Sequence, residues 1–117
     1  MKRHWDTYPK ENLLNVEAEV LLKHLVGKFS FIMCWNVLDH TYNWKTIIKN
    51  ISMYLKDGGI ALIGNDIHEP TIGHPGIESK ESFYDEIKKY FNIERDENQI
   101  SLDDMLYRDV CLKLYKR

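Results

Sequence analysis

The sequence predicts an α/β protein in which helices cover a mostly parallel sheet. Two observations carry this prediction. Apolar strand-like runs alternate with amphipathic helical segments, in the order strand, helix, strand, helix, strand. The first two runs are apolar almost without interruption, as expected for strands buried on both faces of a parallel sheet. Right-handed crossovers in such a sheet place the helices over its faces.

Size and composition predict one folded domain and argue against several classes of function. A chain of 117 residues, of which 44% are hydrophobic, can form one core and is too apolar to be disordered. Its net charge of −2 is spread without a basic stripe, which argues against nucleic-acid binding. The apolar runs are too short to span a membrane, and the two cysteines lack the spacing of a redox pair or a zinc site. We therefore expect a cytoplasmic protein.

The amino-terminal part is predicted to be an arm followed by a helix. Residues 1–10 show no periodicity and contain Pro9, so we expect a loose arm there and a folded domain over residues 11–117. From Glu11 to Leu25 apolar residues recur at helical spacing, and Gly27 can end the helix. The apolar stripe of this predicted helix consists of Leu14, Ala18, Leu21, Leu22 and Leu25.

The middle of the chain is predicted to be a strand, a helix and a second strand. The run FSFIMCW at 29–35 has the composition of a buried strand. Asn43 is placed to cap the following helix, and the segment 56–59 (KDGG) provides a glycine stop. The helix has an apolar stripe of Trp44, Ile47, Ile48, Ile51 and Leu55. The run IALIGND at 60–66 is the second buried strand.

The last third is predicted to contain one helix and two weaker strands. Ser79 can cap this helix, which follows a loop rich in proline and glycine. Its apolar face is formed by Phe83, Ile87, Tyr90 and Phe91. The two strands are expected at 92–96 and 109–115.

Two polar segments follow the first two strands and are the candidate site. The segments 36–40 and 66–75 leave the carboxyl ends of neighbouring strands, where sheets of this kind bind ligands. Asp39 and His40 are as consistent with capping or turn chemistry as with substrate binding. Asp66, His68 and His74 have the ligand types of a metal site but not its usual spacing, so we expect no metal.

Three segments carry a resemblance to a known family: Glu17-Ala18-Glu19, the run from Phe29 to His40, and the run from Tyr54 to Gly59. They resemble the class I S-adenosylmethionine-dependent methyltransferases, specifically the type 11 group. In that family an acidic-Ala-Glu motif precedes a strand that begins Phe-Asp, and a helix that ends Leu-Lys-Pro-Gly-Gly leads into the fifth strand. Ser30 and Asp57 stand where the family has Asp and Pro. The resemblance covers residues 17–117.

The resemblance implies a fold, a cofactor and roles for individual residues. The fold would be the carboxyl-terminal half of a Rossmann-like methyltransferase domain, with an antiparallel last strand. The cofactor would be S-adenosylmethionine, with Glu17 at the adenine ring and the Ala18 backbone beside it. Cys34, Trp35 and Asn36 would face the methionine end. The substrate side would be lined by Asp39, His40, His68 and His74, with His40 or His74 as the base if a small-molecule acceptor must lose a proton.

The chain contains no G-x-G-x-G loop, the element with which this family holds the methionine part of the cofactor. One hypothesis is therefore a methyltransferase that is incomplete as this chain alone and binds the cofactor weakly or not at all. The alternative is a non-catalytic remnant that acts as an interaction or pairing module.

The resemblance also implies an uncovered sheet edge. The fourth strand of the family lies beside the first, which this chain lacks, so 29–35 is expected to be an edge that leads to self-association or to dependence on a missing amino-terminal half. Folding of the stripe Leu14 to Leu25 over the sheet would be another way to cover this edge.

Overall fold

The computed structural model describes Leu14 and residues 16–67, 75–97 and 110–117, with side chains omitted for residues 95–97. The predicted arm at 1–10 lies outside these ranges. The described chain forms one α/β unit with short 3-10 turns at Lys23–Leu25 and Leu38–His40. Its main elements are β1 (Phe29–Trp35), α1 (Trp44–Tyr54), β2 (Leu55–Asn65), α2 (Lys80–Tyr90), β3 (Phe91–Glu97) and β4 (Val110–Lys116).

The four strands of the described chain form one sheet in the order β1-β2-β4-β3. β1 pairs with β2 in parallel, whereas β4 lies between β2 and β3 and is antiparallel to both. β1, β2 and β3 therefore run in the same direction, and the last strand is antiparallel as the resemblance implied. The prediction of a mostly parallel sheet is wrong for the pairings, since two of the three are antiparallel. Apolar patterning does not show which strand lies beside another. The prediction that β1 is buried on both faces is also wrong, since Phe29, Phe31 and Met33 are exposed on an edge strand.

The core lies between the sheet and the two helices, which also contact each other. α1 presents isoleucines at helical spacing, and α2 presents Phe83 and Ile87, in agreement with the predicted apolar faces. Phe91 is buried too, but as the first residue of β3 and not as part of the helix. The buried core residues of these elements include Ile47, Ile48, Ile51, Ala61, Ile63, Phe83, Ile87, Phe91, Val110, Leu112 and Leu114.

The helix starts are at the predicted residues. Ser79 is the N-cap of α2, where its Oγ accepts a hydrogen bond from the Ser82 N–H at 3.1 Å. Asn43 is the N-cap of α1 in position, but its Oδ1 accepts from the Thr46 hydroxyl at 3.1 Å and not from a backbone N–H. Near the start of β2, where its register with β1 shifts, Gly58 has φ of 76°, a left-handed conformation that glycine adopts without a steric penalty.

The predicted helix from Glu11 to Leu25 is not formed in the described part of that range. Residues 16–22 are turn or extended chain, and only Lys23–Leu25 is a single 3-10 turn. The reason is competition from two side chains of α1. The Asn50 amide donates to the carbonyl oxygens of Ala18 and Glu19 at 2.9 and 3.1 Å. These carbonyls are therefore used in tertiary bonds instead of helical ones.

Tyr54 completes this attachment one helical turn further along α1. Its hydroxyl oxygen accepts a hydrogen bond from the Leu22 N–H at 2.9 Å, and the hydroxyl donates to the Val20 carbonyl at 3.2 Å. The segment 18–22 is thus held along α1 by its backbone, so its leucines need not share one helical face. Tertiary context overrides helix propensity here.

We expect Asn50→Ala to reduce the free energy of unfolding by about 1–3 kcal/mol, because two partly buried hydrogen bonds to the carbonyls of Ala18 and Glu19 are lost. Chemical denaturation measures the loss. In this variant, amide hydrogen exchange should be faster for residues 18–22 than for α1. Asn43→Ala is the matched control, since it removes only an exposed side-chain bond. Equal losses for the two variants would contradict this account of the segment.

Candidate functional site

The carboxyl ends of β1 and β2 meet at one edge of the sheet. Trp35 is in register with Gly64, and the Asn36 N–H donates to the Gly64 carbonyl at 2.7 Å. Asn36 has φ of 56°, so the chain turns sharply away from the strand at this residue. Asparagine is among the few residues that adopt this conformation readily. Asn65 ends β2 directly beside this turn.

Trp35 lies across the neighbouring strand, and Gly64 makes that arrangement possible. A Cβ atom at Gly64 would lie 2.6 Å from Cζ3 of the Trp35 ring, closer than real carbon atoms approach. Position 64 therefore requires glycine because the Trp35 ring approaches its backbone closely, and not because the backbone has a positive φ. The indole therefore packs closely against the β2 backbone at Gly64.

Several buried polar atoms at this edge have no hydrogen-bond partner among the described residues. They are Trp35 Nε1, Asn36 Oδ1, and both Nδ2 and Oδ1 of Asn65. The Asn65 side chain is on a residue that is 0% exposed, in the middle of the sheet between β1 and β4. A buried polar atom left unpaired costs about 1–3 kcal/mol, so such a group normally marks a ligand, a bound water or a functional constraint.

Sequence reasoning placed Trp35 and Asn36 in the candidate site but missed Asn65. The available signal was a polar residue at the end of the otherwise apolar run IALIG. That signal is weak in the sequence, because an asparagine after a strand is also an ordinary turn residue. It becomes informative only when the sheet shows that the side chain is buried.

Asp39 and His40 form the turn that follows β1. They belong to the 3-10 turn Leu38–His40, and Asp39 is 2% exposed. Asp39 Oδ2 lies 3.6 Å from His40 Nε2, and the Asp39 carbonyl accepts from the Gly76 N–H at 2.9 Å. The turn role predicted for these residues is thus observed, and a substrate role for them stays a prediction. The backbone bond also connects this turn to the segment before α2.

Cys34 precedes this edge and is a neutral thiol. Burial first, and then the nearby Asp39 carboxylate, raise the pKa of Cys34 from 9.0 to about 11. A thiolate is the reactive form of cysteine, so this environment disfavours a nucleophilic role. Cys34 and Cys111 are both free thiols in the structure.

Glu17 and Ala18 lie in a separate groove beside the amino-terminal half of β1. The groove has a volume of about 360 Å³ and apolar walls, with Phe31, Ile32 and Tyr54 on one side and the segment from Leu14 to Leu25 on the other. Trp35 and Asn36 are not among its lining residues. The predicted adenine and methionine contacts therefore fall at two different places along β1.

A second cavity, of about 450 Å³, lies at the start of α1. Its walls include the aromatic rings of Tyr42 and Trp44, together with Lys45 and Glu78. His68 and His74, which were predicted to line the substrate side, lie outside the described residues, so their roles stay predictions.

The described residues offer neither a cluster of metal ligands nor a membrane-spanning helix. Within the described ranges, no group of three or more His, Cys, Asp or Glu side chains is placed to hold a metal ion. None of the described helices combines the length and the apolar character needed to cross a membrane.

Comparison with known proteins identifies the fold. Neither a protein-family model nor a curated protein matches the sequence. Among solved structures, the N-methyltransferase NodS from Bradyrhizobium japonicum has a TM-score of 0.67 at 14% identity over 88% of this chain and 53% of that one. A putative methyltransferase from Bacillus halodurans has a TM-score of 0.67 at 12% identity over 86% of this chain and 75% of that one. The chain has the fold of the class I methyltransferases.

Other proteins with this fold limit what the similarity means. The CurJ carbon methyltransferase matches with a TM-score of 0.65 at 13% identity, over 86% of this chain and 34% of that one. The [4+2]-cyclase SpnF also matches, with a TM-score of 0.59 at 20% identity over 70% of this chain and 32% of that one. The chain thus spans about a third of the length of CurJ and SpnF and about half that of NodS. A methyltransferase fold by itself does not specify the reaction.

We expect Gly64→Ala to lower the free energy of unfolding by about 1–3 kcal/mol, because the new methyl group overlaps the Trp35 ring. Thermal or chemical denaturation measures this loss. In a Trp35→Leu background the same substitution should cost clearly less, since the overlapping ring is gone. A cost that is equal in both backgrounds would show that the two residues do not interact.

The raised pKa of Cys34 predicts slow alkylation. At pH 8 its reaction with iodoacetamide in the folded protein should be about a hundredfold slower than that of a thiol with the ordinary pKa of 9.0. Peptide mass spectrometry over time gives the rate. The folded state holds the Cys34 proton to higher pH than the unfolded state does. The contribution of Cys34 to the free energy of unfolding is therefore lost as pH rises from 9.0 to about 11. Rapid labelling of Cys34 at pH 8 would contradict this burial.

Proposed function

We propose that this chain supplies part of the site of an S-adenosylmethionine-dependent methyl transfer to a small-molecule acceptor. The observation that carries the proposal is the cluster of buried polar atoms at Trp35, Asn36 and Asn65, which have no partner in the described part of the chain. It lies at the carboxyl ends of β1 and β2, the edge at which open α/β sheets bind ligands. The fold shared with methyltransferases makes this reaction the first choice.

The described residues fit the cofactor at two places. The groove beside Glu17 combines apolar walls with one carboxylate, which suits a flat aromatic ring that carries an amino group. Trp35 Nε1 offers a hydrogen-bond donor and Asn36 Oδ1 an acceptor, which suits the polar ends of an amino acid. S-adenosylmethionine would supply an activated methyl group. The chain's own residues would orient the ligands and exclude water from them.

The sequence lacks the glycine-rich loop, so we propose that efficient transfer requires further polypeptide. The matched methyltransferases are longer than this chain, which supports the proposal. Methyl transfer depends mainly on holding the acceptor in line with the methyl group. The part offered by this chain would therefore be positioning.

His40 is our candidate for proton transfer if the acceptor must lose a proton. Its imidazole Nε2 lies 3.6 Å from Asp39 Oδ2, so the carboxylate can orient the ring. The side chain is partly exposed, which leaves it accessible to an acceptor and to solvent. His74 stays an alternative base, and Asp39 and His68 stay candidates for substrate contacts.

A second function from a different class is a non-catalytic pairing module. It is favoured by one observation, the exposed apolar side chains of Phe29, Phe31 and Met33 on an edge strand. Such an edge is a template for another strand. Ligand binding at Trp35 distinguishes this function from methyl transfer.

Titration of the chain with S-adenosylhomocysteine, followed by the indole N–H signals in NMR, tests the proposal. We expect weak binding that shifts the Trp35 signal, because its Nε1 would gain a hydrogen-bond partner. Trp44, which packs on Phe83 and lines the other cavity, is the internal control and should not shift. Asn36→Ala should weaken binding by about fivefold, as expected for the loss of one hydrogen bond.

Three results would count against the proposal. They are an unchanged Trp35 signal at saturating ligand, equal shifts of Trp35 and Trp44, and unchanged binding by Asn36→Ala. Micromolar binding by the chain alone would instead refute the need for further polypeptide while supporting the location of the site.

A further inference from the structure

We propose that two copies of this chain associate through antiparallel pairing of β1 with β1 of the second copy, about a two-fold axis at Ile32. Among the described residues β1 pairs only with β2, so its other edge is open. An open edge exposes backbone donors and acceptors that another strand can satisfy. The proposal concerns association and does not depend on methyl transfer.

The open edge is apolar and lacks the usual protection against pairing. Phe29, Phe31 and Met33 are 39%, 51% and 63% exposed. The strand contains no charged residue and no proline, the residues that commonly block edge pairing. Its one irregularity lies between Phe29 and Phe31, which leaves the stretch from Phe31 to Trp35 regular. This stretch is therefore suited to accept a partner strand.

The alternation of backbone hydrogen bonds along β1 shows which residues direct their backbone groups away from β2. The Asn36 N–H donates to Gly64 of β2, so the backbone of Asn36 faces inward. In a parallel ladder alternate residues face the same neighbour, and the backbone groups of Phe31, Met33 and Trp35 therefore face the open edge. Those residues are the ones available to a second strand.

This alternation of inward-facing and outward-facing residues makes β1 complementary to a second copy of itself. When Ile32 lies opposite Ile32 of the second copy, Phe31 lies opposite Met33 and Met33 opposite Phe31. Both pairs then consist of outward-facing residues, as the hydrogen-bonded positions of an antiparallel ladder require. The same symmetry applies to every contact, so the pairing is closed and stops at two copies.

The side chains and charges agree with this register. Each Phe31 ring would lie beside a Met33 thioether, a favourable sulfur–aromatic contact. Lys28, the charged residue nearest the strand, would lie at one end of the ladder in each copy, so the two Lys28 side chains would be at opposite ends, more than about 20 Å apart. Within the paired strands no like charges would meet. Exposed apolar side chains of Leu14, Val16 and Val20 border the same region and would extend the buried surface.

Analytical ultracentrifugation over a range of concentrations tests the proposal. We expect reversible conversion of the 14.0 kDa monomer to a dimer. Met33→Lys should raise the dimer dissociation constant by more than about tenfold, because each copy would place a charge in an apolar contact. The matched control is Tyr42→Lys, which changes an 89% exposed aromatic side chain away from β1 and should leave dimerisation unchanged.

Amide exchange of the wild-type chain provides a second measurement that needs no variant. The Phe31 and Met33 amides should become more protected as the dimer forms. A chain that stays monomeric at all concentrations would overturn the proposal. This is the result expected if the edge pairs with a strand of another protein. The proposal is also overturned by open-ended assembly, by a dimer that Met33→Lys leaves intact, or by exchange at Phe31 and Met33 that does not depend on concentration.

Discussion

The contact between Trp35 and Gly64 fixes the geometry on which the candidate site depends. The Trp35 ring occupies the space of a side chain at Gly64, and the next residue, Asn36, donates its N–H to the Gly64 carbonyl. Together these contacts align the carboxyl ends of β1 and β2 at one edge of the sheet. The chain can then turn at Asn36, and Asn65 remains buried beside that turn. The unpartnered polar atoms thus lie on rigid elements of the sheet, as a binding site requires.

Local patterns predicted the elements well where burial and local chemistry agree. The isoleucine stripe of α1 matches the buried face of that helix, and Ser79 caps α2 through a bond that spans three residues. The apolar run at 29–35 predicted the strand but not the exposure of its side chains. The segment 16–22 was predicted wrongly because its backbone bonds to Asn50 and Tyr54, which lie about thirty residues away. Such long-range bonds leave no periodic signal in the sequence.

The candidate site could be predicted only in part, for a related reason. Trp35 and Asn36 follow directly from the end of a strand, and family resemblance adds Glu17. Asparagine is common in turns, so the residue type of Asn65 gives no signal. What distinguishes Asn65 is its burial on β2, between β1 and β4. The place of β4 in the sheet was equally hidden, since its alternation of apolar residues fits any neighbour. Burial of a polar group is a property of the assembled sheet.

β1 carries both the open edge and the candidate site, so the two are mechanically linked. In the self-complementary register, Trp35 lies opposite Phe29 of the second copy, and its outward backbone groups would be bonded. A strand at this edge would therefore restrain the residue whose ring rests on Gly64 and whose Nε1 is buried without a partner in the described part of the chain. Phe31 lines the groove assigned to the adenine ring and also belongs to the pairing edge, so the ring and a partner strand would compete for its side chain. Because coupling between two sites is reciprocal, a ligand in this groove would weaken pairing by the same factor by which pairing weakens its binding.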